Sequence, residues 1–256
     1  MKLLIILAIV YNISTAATDQ NLVESSPYAT PIENGLRALM ERVRVAMGTG
    51  VPSMGLPILE PYQRDSLNIK MDINNVLQMN ASFDQFKVTG FQSFVVNTID
   101  FNFNLVAASF NTNLTVPLLR IDADHYKLFA DILGRKFSFL EIFGEGVAEL
   151  EITNLDIVID AKIAVFGKIL NMTEMDIDVK MGSVWSNLHG LMGGGAASDA
   201  MNDVLADLIP ALVVYESEAI SNRLGRIALR FANKYIQPLT LADIINIILG
   251  TGNNAF

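Results

Sequence analysis

Between Ser66 and Met181 apolar and polar residues alternate with period two over segment after segment. Leu67, Ile69, Met71 and Ile73 fall on one side, and Asn68, Lys70, Asp72 and Asn74 on the other. The pattern returns in Ile99, Phe101, Phe103 and Leu105, and again in Met175, Ile177, Val179 and Met181. This period predicts antiparallel strands with one apolar and one solvated face. An apolar sheet face of this extent needs a cover: a helix, a second sheet or a ligand. Polar or glycine-bearing stretches at Thr89-Gly90, Asn111-Thr112-Asn113, Asp122-Ala123-Asp124, Gly134-Arg135-Lys136 and Gly144-Glu145-Gly146 read as turns. They imply a meander of strands near ten residues long.

Helical spacing flanks the sheet on both sides. Ile32, Leu36, Leu39, Val43 and Met47 recur at three- and four-residue steps, which predicts a helix over 31–47 with Thr30 as N-cap and Gly48 and Gly50 as its stop. A connector rich in Pro and Gly follows from Gly50 to Pro61. Gly193-Gly194-Gly195 marks the change from sheet to helix. From Asp199 to Ile236 an apolar stripe predicts one very long helix, kinked or broken at Ile209 by Pro210. Leu241 to Leu249 reads as a short apolar helix. The fold class is α+β: a long C-terminal helix wrapped by a highly curved antiparallel β-sheet, plus an N-terminal amphipathic helix.

Composition sets the compartment and excludes much chemistry. Lys2, the apolar run from Leu3 to Val10 and the small residues Ser14 to Ala17 form a secretory signal, with cleavage expected after Ala16 or Ala17. The expected division is therefore a signal peptide at 1–17, a flexible leader at 18–30, a single domain at 31–250 and a tail at 251–256. The run is too short for a spanning helix, which needs about 20 apolar residues. Hydrophobic residues make up 51% and charged residues only 18%, so the surplus must be buried inside. A formal net charge of −9 argues against nucleic acid and anionic surfaces as partners. The absence of Cys removes thiol catalysis, Cys-based zinc sites and disulfides together.

Catalytic and metal signatures are weak. His125 and His189 lie far apart and in no zinc spacing. No G-x-S-x-G elbow or Walker loop occurs, and Glu149 stands where the third glycine of a dinucleotide fingerprint would follow Gly144 and Gly146. Asp156, Asp160, Asp176 and Asp178 alternate with apolar residues, as the solvated faces of strands do. We therefore expect no enzyme activity, no metal and no cofactor. Three sequons, at Asn80, Asn113 and Asn171, are candidate glycosylation sites, with Asn113 favoured because it falls in a predicted turn.

Several short strings carry a resemblance. The connector Gly50-Val-Pro-Ser-Met-Gly-Leu-Pro-Ile-Leu-Glu-Pro61 is similar to the G-x-P-x-x-G-x-P-x-x-[DE]-P string of the insect haemolymph juvenile-hormone-binding and takeout-like proteins. Phe86-Lys-Val-Thr-Gly-Phe91, Gly144-Glu-Gly146, Asn202, Pro210 and Phe231-Ala-Asn-Lys234 resemble further family strings in the same order. The resemblance runs from about Glu33 to Ile245 and extends more distantly to the dust-mite group 7 allergen type. It implies a single-module, tubular lipid-binding wrap that carries juvenile hormone, fatty acids or other lipids. The paired Cys that family members carry near the mature N-terminus are missing here.

These readings predict a secreted, extracellular carrier whose partner is a small hydrophobic ligand, lipid or terpenoid. Expected lining residues are Met71, Phe101, Phe103, Met175, Ile177 and Val179 from the sheet, with Leu212, Tyr215 and Leu224 from the long helix. Tyr215 is the expected polar handle, since a phenol can meet a ligand head group within an apolar wall. Met, at 11 copies, suits an adaptable lining. The alternative is a filled-core secreted interaction, innate-defence or allergen-like protein that acts through its outer surface. In that case the same apolar residues contact one another.

Overall fold

The computed structural model describes residues 31–50, 57–73, 77–103, 106–132, 140–166 and 169–249. The predicted signal peptide, leader and tail, and the turn at Gly134-Arg135-Lys136, lie outside the described residues. In chain order the elements are α1 (Pro31–Thr49), β1 (Tyr62–Ile73), β2 (Leu77–Thr89), β3 (Val95–Phe103), β4 (Ala107–Ile132), β5 (Leu140–Phe166), β6 (Ile169–Lys180), β7 (Val184–Leu188), α2 (Ala196–Tyr215), α3 (Ser217–Ile236) and α4 (Leu241–Leu249).

Two very long antiparallel strands, β4 of 26 residues and β5 of 27, form the spine. Along β4, residues 120–132 pair with β2 and residues 108–115 with β3, so two shorter strands follow one another on the same side. Along β5, residues 156–166 pair with β6 and residues 148–152 with β7. β1 pairs with β2 and completes a seven-stranded antiparallel sheet among the described residues. The antiparallel sheet that the alternation predicts is thus present.

Strand lengths differ from expectation. Asn111-Thr112-Asn113 and Asp122-Ala123-Asp124 lie inside β4, and Gly144-Glu145-Gly146 lies inside β5. Thr112 is completely buried, its hydroxyl donating to Thr98 O at 2.9 Å. Its neighbours Asn111 and Asn113 make cross-strand bonds with Asp160 and Asn97. Polar side chains that satisfy one another across strands need no turn. The Asp122–Asp124 stretch is instead a bulge, where β4 loses register with β5 between Ala123 and Tyr126.

The long C-terminal helix is two helices. α2 passes through Pro210 without interruption, and the division falls at Glu216, whose φ of −98° and ψ of 16° leave the helical region. Hydrogen bonding bridges the break: Glu216 N–H donates to Leu212 O, and Ile220 N–H donates to Glu216 O. A proline inside a helix removes one backbone donor, and this helix absorbs that loss.

Small side chains bring the helices onto the strands. A Cβ at Gly225 would stand 2.1 Å from Met175 O, and Ala228 and Ala232 are completely buried, so α3 lies tight against β6. Asn202 pins α2 to β7: its Oδ1 accepts from Leu188 N–H at 2.9 Å and from the Ser186 hydroxyl at 3.1 Å. The main core joins α1, α3 and α4 to β3, β6 and the adjoining stretches of β4 and β5. A smaller cluster of Ala130, Ile142, Leu191 and Leu205 lies where the 3-10 turn at Leu191–Gly193 and α2 meet the far ends of β4 and β5.

Candidate functional site

Within the main core lies a cavity of about 90 Å³. α1 supplies Leu36, Leu39, Met40 and Val43, four of the five buried positions of its amphipathic face. The strands supply Ile99 and Phe101 from β3, Phe110 from β4, Ile159, Ala161 and Ile163 from β5, and Met172, Met175 and Ile177 from β6. Ile236 at the end of α3, with Ile244 and Ile248 from α4, completes the wall. Every lining residue is apolar, so the site offers no side-chain donor and, as acceptors, only the weak thioethers of Met40, Met172 and Met175.

α1 and α4 close the cavity, and polar contacts fix both. Arg37 donates to Val96 O at 3.2 Å, and Arg44 donates to Phe94 O while stacking over the Phe94 ring at 4.6 Å. Both arginines thereby tie α1 to β3 and its approach. Arg42 reaches the other way, donating to Ile247 O of α4 at 3.4 Å, and burial pushes its guanidinium below its ordinary pKa. Gly35 lets the two helices meet, since a Cβ there would lie 2.4 Å from Ile248 O. α4 is started by a capping box. The Thr240 N–H and hydroxyl donate to Asp243 Oδ2 at 2.8 and 2.7 Å, and Asp243 N–H donates back to Thr240 Oγ1 at 3.2 Å. Those bonds hold the Asp243 carboxyl below its usual range.

The connector before β1 is anchored by Glu60. Its carboxylate accepts from Gly90 N–H at 2.9 and 3.0 Å and from Gln92 N–H at 3.2 Å, which clamps the turn between β2 and β3. Leu59 N–H donates to Met47 O at 2.8 Å, tying the same connector to the end of α1. The acidic residue and glycine of two sequence strings are therefore one structural device.

Of the nine residues expected to line the site, Phe101, Met175 and Ile177 face the cavity. Val179 and Leu224 are half-buried against the main core, outside the cavity wall. Met71 is half-buried in β1, opposite Met79, and Leu212 is half-buried in α2. Phe103 is 44% exposed at the end of β3, and Tyr215, the expected polar handle, is 73% exposed beside the helix break. The helix contribution comes instead from α1, α4 and the last turn of α3. Leu36, Leu39 and Val43 belong to the apolar helix face that the three- and four-residue spacing predicts, and that face is part of the cavity wall. The repeat in Ile244 and Ile248 carried the same signal.

The histidines, the sequons and the remaining aromatic groups lie away from the cavity. Trp185 is half-exposed on β7 opposite Glu151. His125 faces Asp84 at 3.7 Å on the sheet exterior, and His189 bonds Asn187 at 3.1 Å. Burial pushes the Tyr126 phenol up to about 12, and its hydroxyl donates to His189 O at 3.1 Å. Among the sequons, Asn113 lies mid-strand with its carbonyl accepting from Asn97, Asn171 is half-buried in β6, and Asn80 is exposed in β2. The turn that favoured Asn113 is absent, because polar cross-strand pairing continues β4 through it. A larger depression of about 570 Å³ involves Ile69, Ala81 and Leu128 with Lys70, Lys127 and Glu145, and is open and partly charged.

The model of the haemolymph juvenile hormone binding protein family matches residues 3–246. The crystal structure of Epiphyas postvittana Takeout 1 aligns with a TM-score of 0.51 at 16% identity, covering 80% of this chain and 94% of that one. A structure of lipopolysaccharide binding protein aligns with a TM-score of 0.37 at 11% identity over 80% of this chain and 39% of that one. No curated protein sequence gives a significant match.

Proposed function

Because the chain belongs to the haemolymph juvenile hormone binding protein family, we propose that it is a secreted, non-catalytic carrier that encloses an elongated hydrophobic ligand in the cavity beneath α1 and α4. The observation that supports this reading is the wall itself: residues from α1, β3, β4, β5, β6, α3 and α4 converge on one space with no polar side chain among them. Such a space favours an alkyl or terpenoid chain, whose burial contributes about 25 cal/mol per Å². It offers nothing to a sugar or a nucleotide. The unit that carries the cavity is the single wrap at 31–250, and exposed Asn80 is the sequon best placed to bear a glycan.

The volume decides how binding must proceed. Ligand pockets commonly run to about 300–1,000 Å³, so a cavity of about 90 Å³ must widen to hold a whole lipid. Met40, Met172 and Met175 line it, and unbranched thioethers change rotamer at small cost. No helix of the described residues is long and apolar enough to cross a membrane.

The same small volume favours one other reading, a filled-core protein that acts through its surface. Native and denaturing mass spectrometry of the detergent-free secreted chain separates the two. A lipid or terpenoid released on denaturation is the expected result. A folded, bare protein that also refuses fatty acids and juvenoids would leave the filled-core reading in place.

A further inference from the structure

Resting on the carrier reading, we infer that the end of the sheet formed by the last residues of β3, the first of β4, the end of β5 and the start of β6 is a contact surface for a neutral lipid surface, from which the cavity is loaded. The register brings these segments together: Phe103 lies opposite Ala108, Ala107 opposite Ala164, and Phe166 opposite Ile169. Val165 N–H donates to Val106 O at 2.9 Å, which fixes the start of β4 beside the end of β5.

Exposed apolar side chains concentrate there: Phe103 at 44%, Val106 at 68% and Ile169 at 58%. Charge is sparse in the same segments. Residues 101–119 contain no Asp, Glu, Lys or Arg, and residues 163–173 contain only Lys168, in a chain that is 18% charged overall. A solvated protein surface carries charges, whereas a surface that enters a lipid interface loses stability with each one.

The apolar end is continuous with the cavity. Ile99 and Phe101 line the cavity, and Phe103 is the next residue on that face of β3, its ring centroid 5.9 Å from that of Phe101. A hydrophobic molecule leaving a bilayer at Phe103 therefore meets apolar side chains all the way inward. A second copy of the chain fits this end less well. Its three exposed side chains fall short of the roughly 1,200 Å² that a specific protein interface buries, though they suit a brief lipid contact. The net charge of −9 directs the contact to zwitterionic lipid and away from anionic lipid.

The test is transfer of a pyrene-labelled fatty acid from phosphatidylcholine vesicles to the full secreted chain, followed at increasing vesicle concentration. Contact loading makes the rate rise in proportion to vesicle concentration. Val106→Asp and Ile169→Asp, both exposed, should lower that slope by roughly tenfold because each sets a charge against the lipid. Their equilibrium uptake of the same probe delivered from ethanol should match that of the parent protein. A rate independent of vesicle concentration, or unchanged slopes in both variants, would overturn the inference. So would a parent dimer in sedimentation that Val106→Asp dissolves, since the end would then join two copies. Failure of the parent protein to take the probe even from ethanol would sink the carrier reading itself, an outcome that the ethanol arm identifies separately.

Discussion

The side-chain amide of Asn233 on α3 pairs with the backbone of Met172 on β6 as a neighbouring strand would. Its Nδ2 donates to Met172 O at 2.9 Å, and its Oδ1 accepts from Met172 N–H at 2.7 Å. β6 ends the strand order, so these two backbone groups are completed by a helix side chain. Met172 also lines the cavity, and one contact therefore seals the sheet edge and fixes the cavity wall.

Asn233→Leu should strip both bonds while keeping the side-chain volume. Leaving partly buried backbone groups unsatisfied costs about 1–3 kcal/mol, a loss that urea denaturation would register as a lower midpoint with unchanged slope. An unaltered midpoint would mean that water replaces the amide and that the contact is incidental.

Ala161→Leu places three additional carbons at the cavity wall. A void of about 90 Å³ can take them, so stability should hold or rise by up to about 2 kcal/mol. Competition against a fluorescent fatty acid should show affinity reduced by roughly tenfold or more, equivalent to about 1.4 kcal/mol. Loss of stability without loss of affinity would place the ligand elsewhere.

Gly35→Ala should wedge α1 from α4, because its Cβ would meet Ile248 O at 2.4 Å. Overpacking of this kind costs about 1–3 kcal/mol. Stopped-flow displacement should show faster probe release than in the parent protein, since both helices close the cavity. Unchanged release would mean that the contact between α1 and α4 does not limit exit of the probe.

Acid should loosen α4 through Asp243. Its carboxyl is held below the ordinary value by bonds from the Thr240 hydroxyl and N–H. The capping contribution is therefore fully present above the unfolded-state pKa, about 3.9, and is lost as pH falls through the lower folded value. Probe release followed from pH 6 downward should accelerate below about pH 4, and Asp243→Asn should blunt that acceleration. Identical profiles for the two proteins would assign the acid response to other carboxylates.

The alternating faces around Leu67, Ile99 and Ile177 were legible because residues two apart in a strand share one side, and β1, β3 and β6 fall there. Strand ends were harder to read. Asn111-Thr112-Asn113 has turn composition, and only the positions of Thr98, Asn97 and Asp160 on neighbouring strands explain why it stays extended. Periodicity likewise marks a buried face without saying whether a residue meets a neighbour or a void. Ile177 meets the cavity, whereas Val179, two residues on, packs against core. Tyr215 departs from expectation because the break that Pro210 predicts at Ile209 falls instead at Glu216, and Tyr215 stands 73% exposed beside it.

The bond from Arg42 to Ile247 O joins residues 205 apart in the chain. The β4–β5 hairpin, by contrast, is assembled from adjacent stretches. Contacts of such long range are slow to form because much chain must first be ordered between their ends. During synthesis the sheet can therefore take shape while its apolar hollow still lacks α4. The cavity wall is complete only once Ile244 and Ile248 have docked, so closing the hollow is a late step of folding that the sheet cannot accomplish alone.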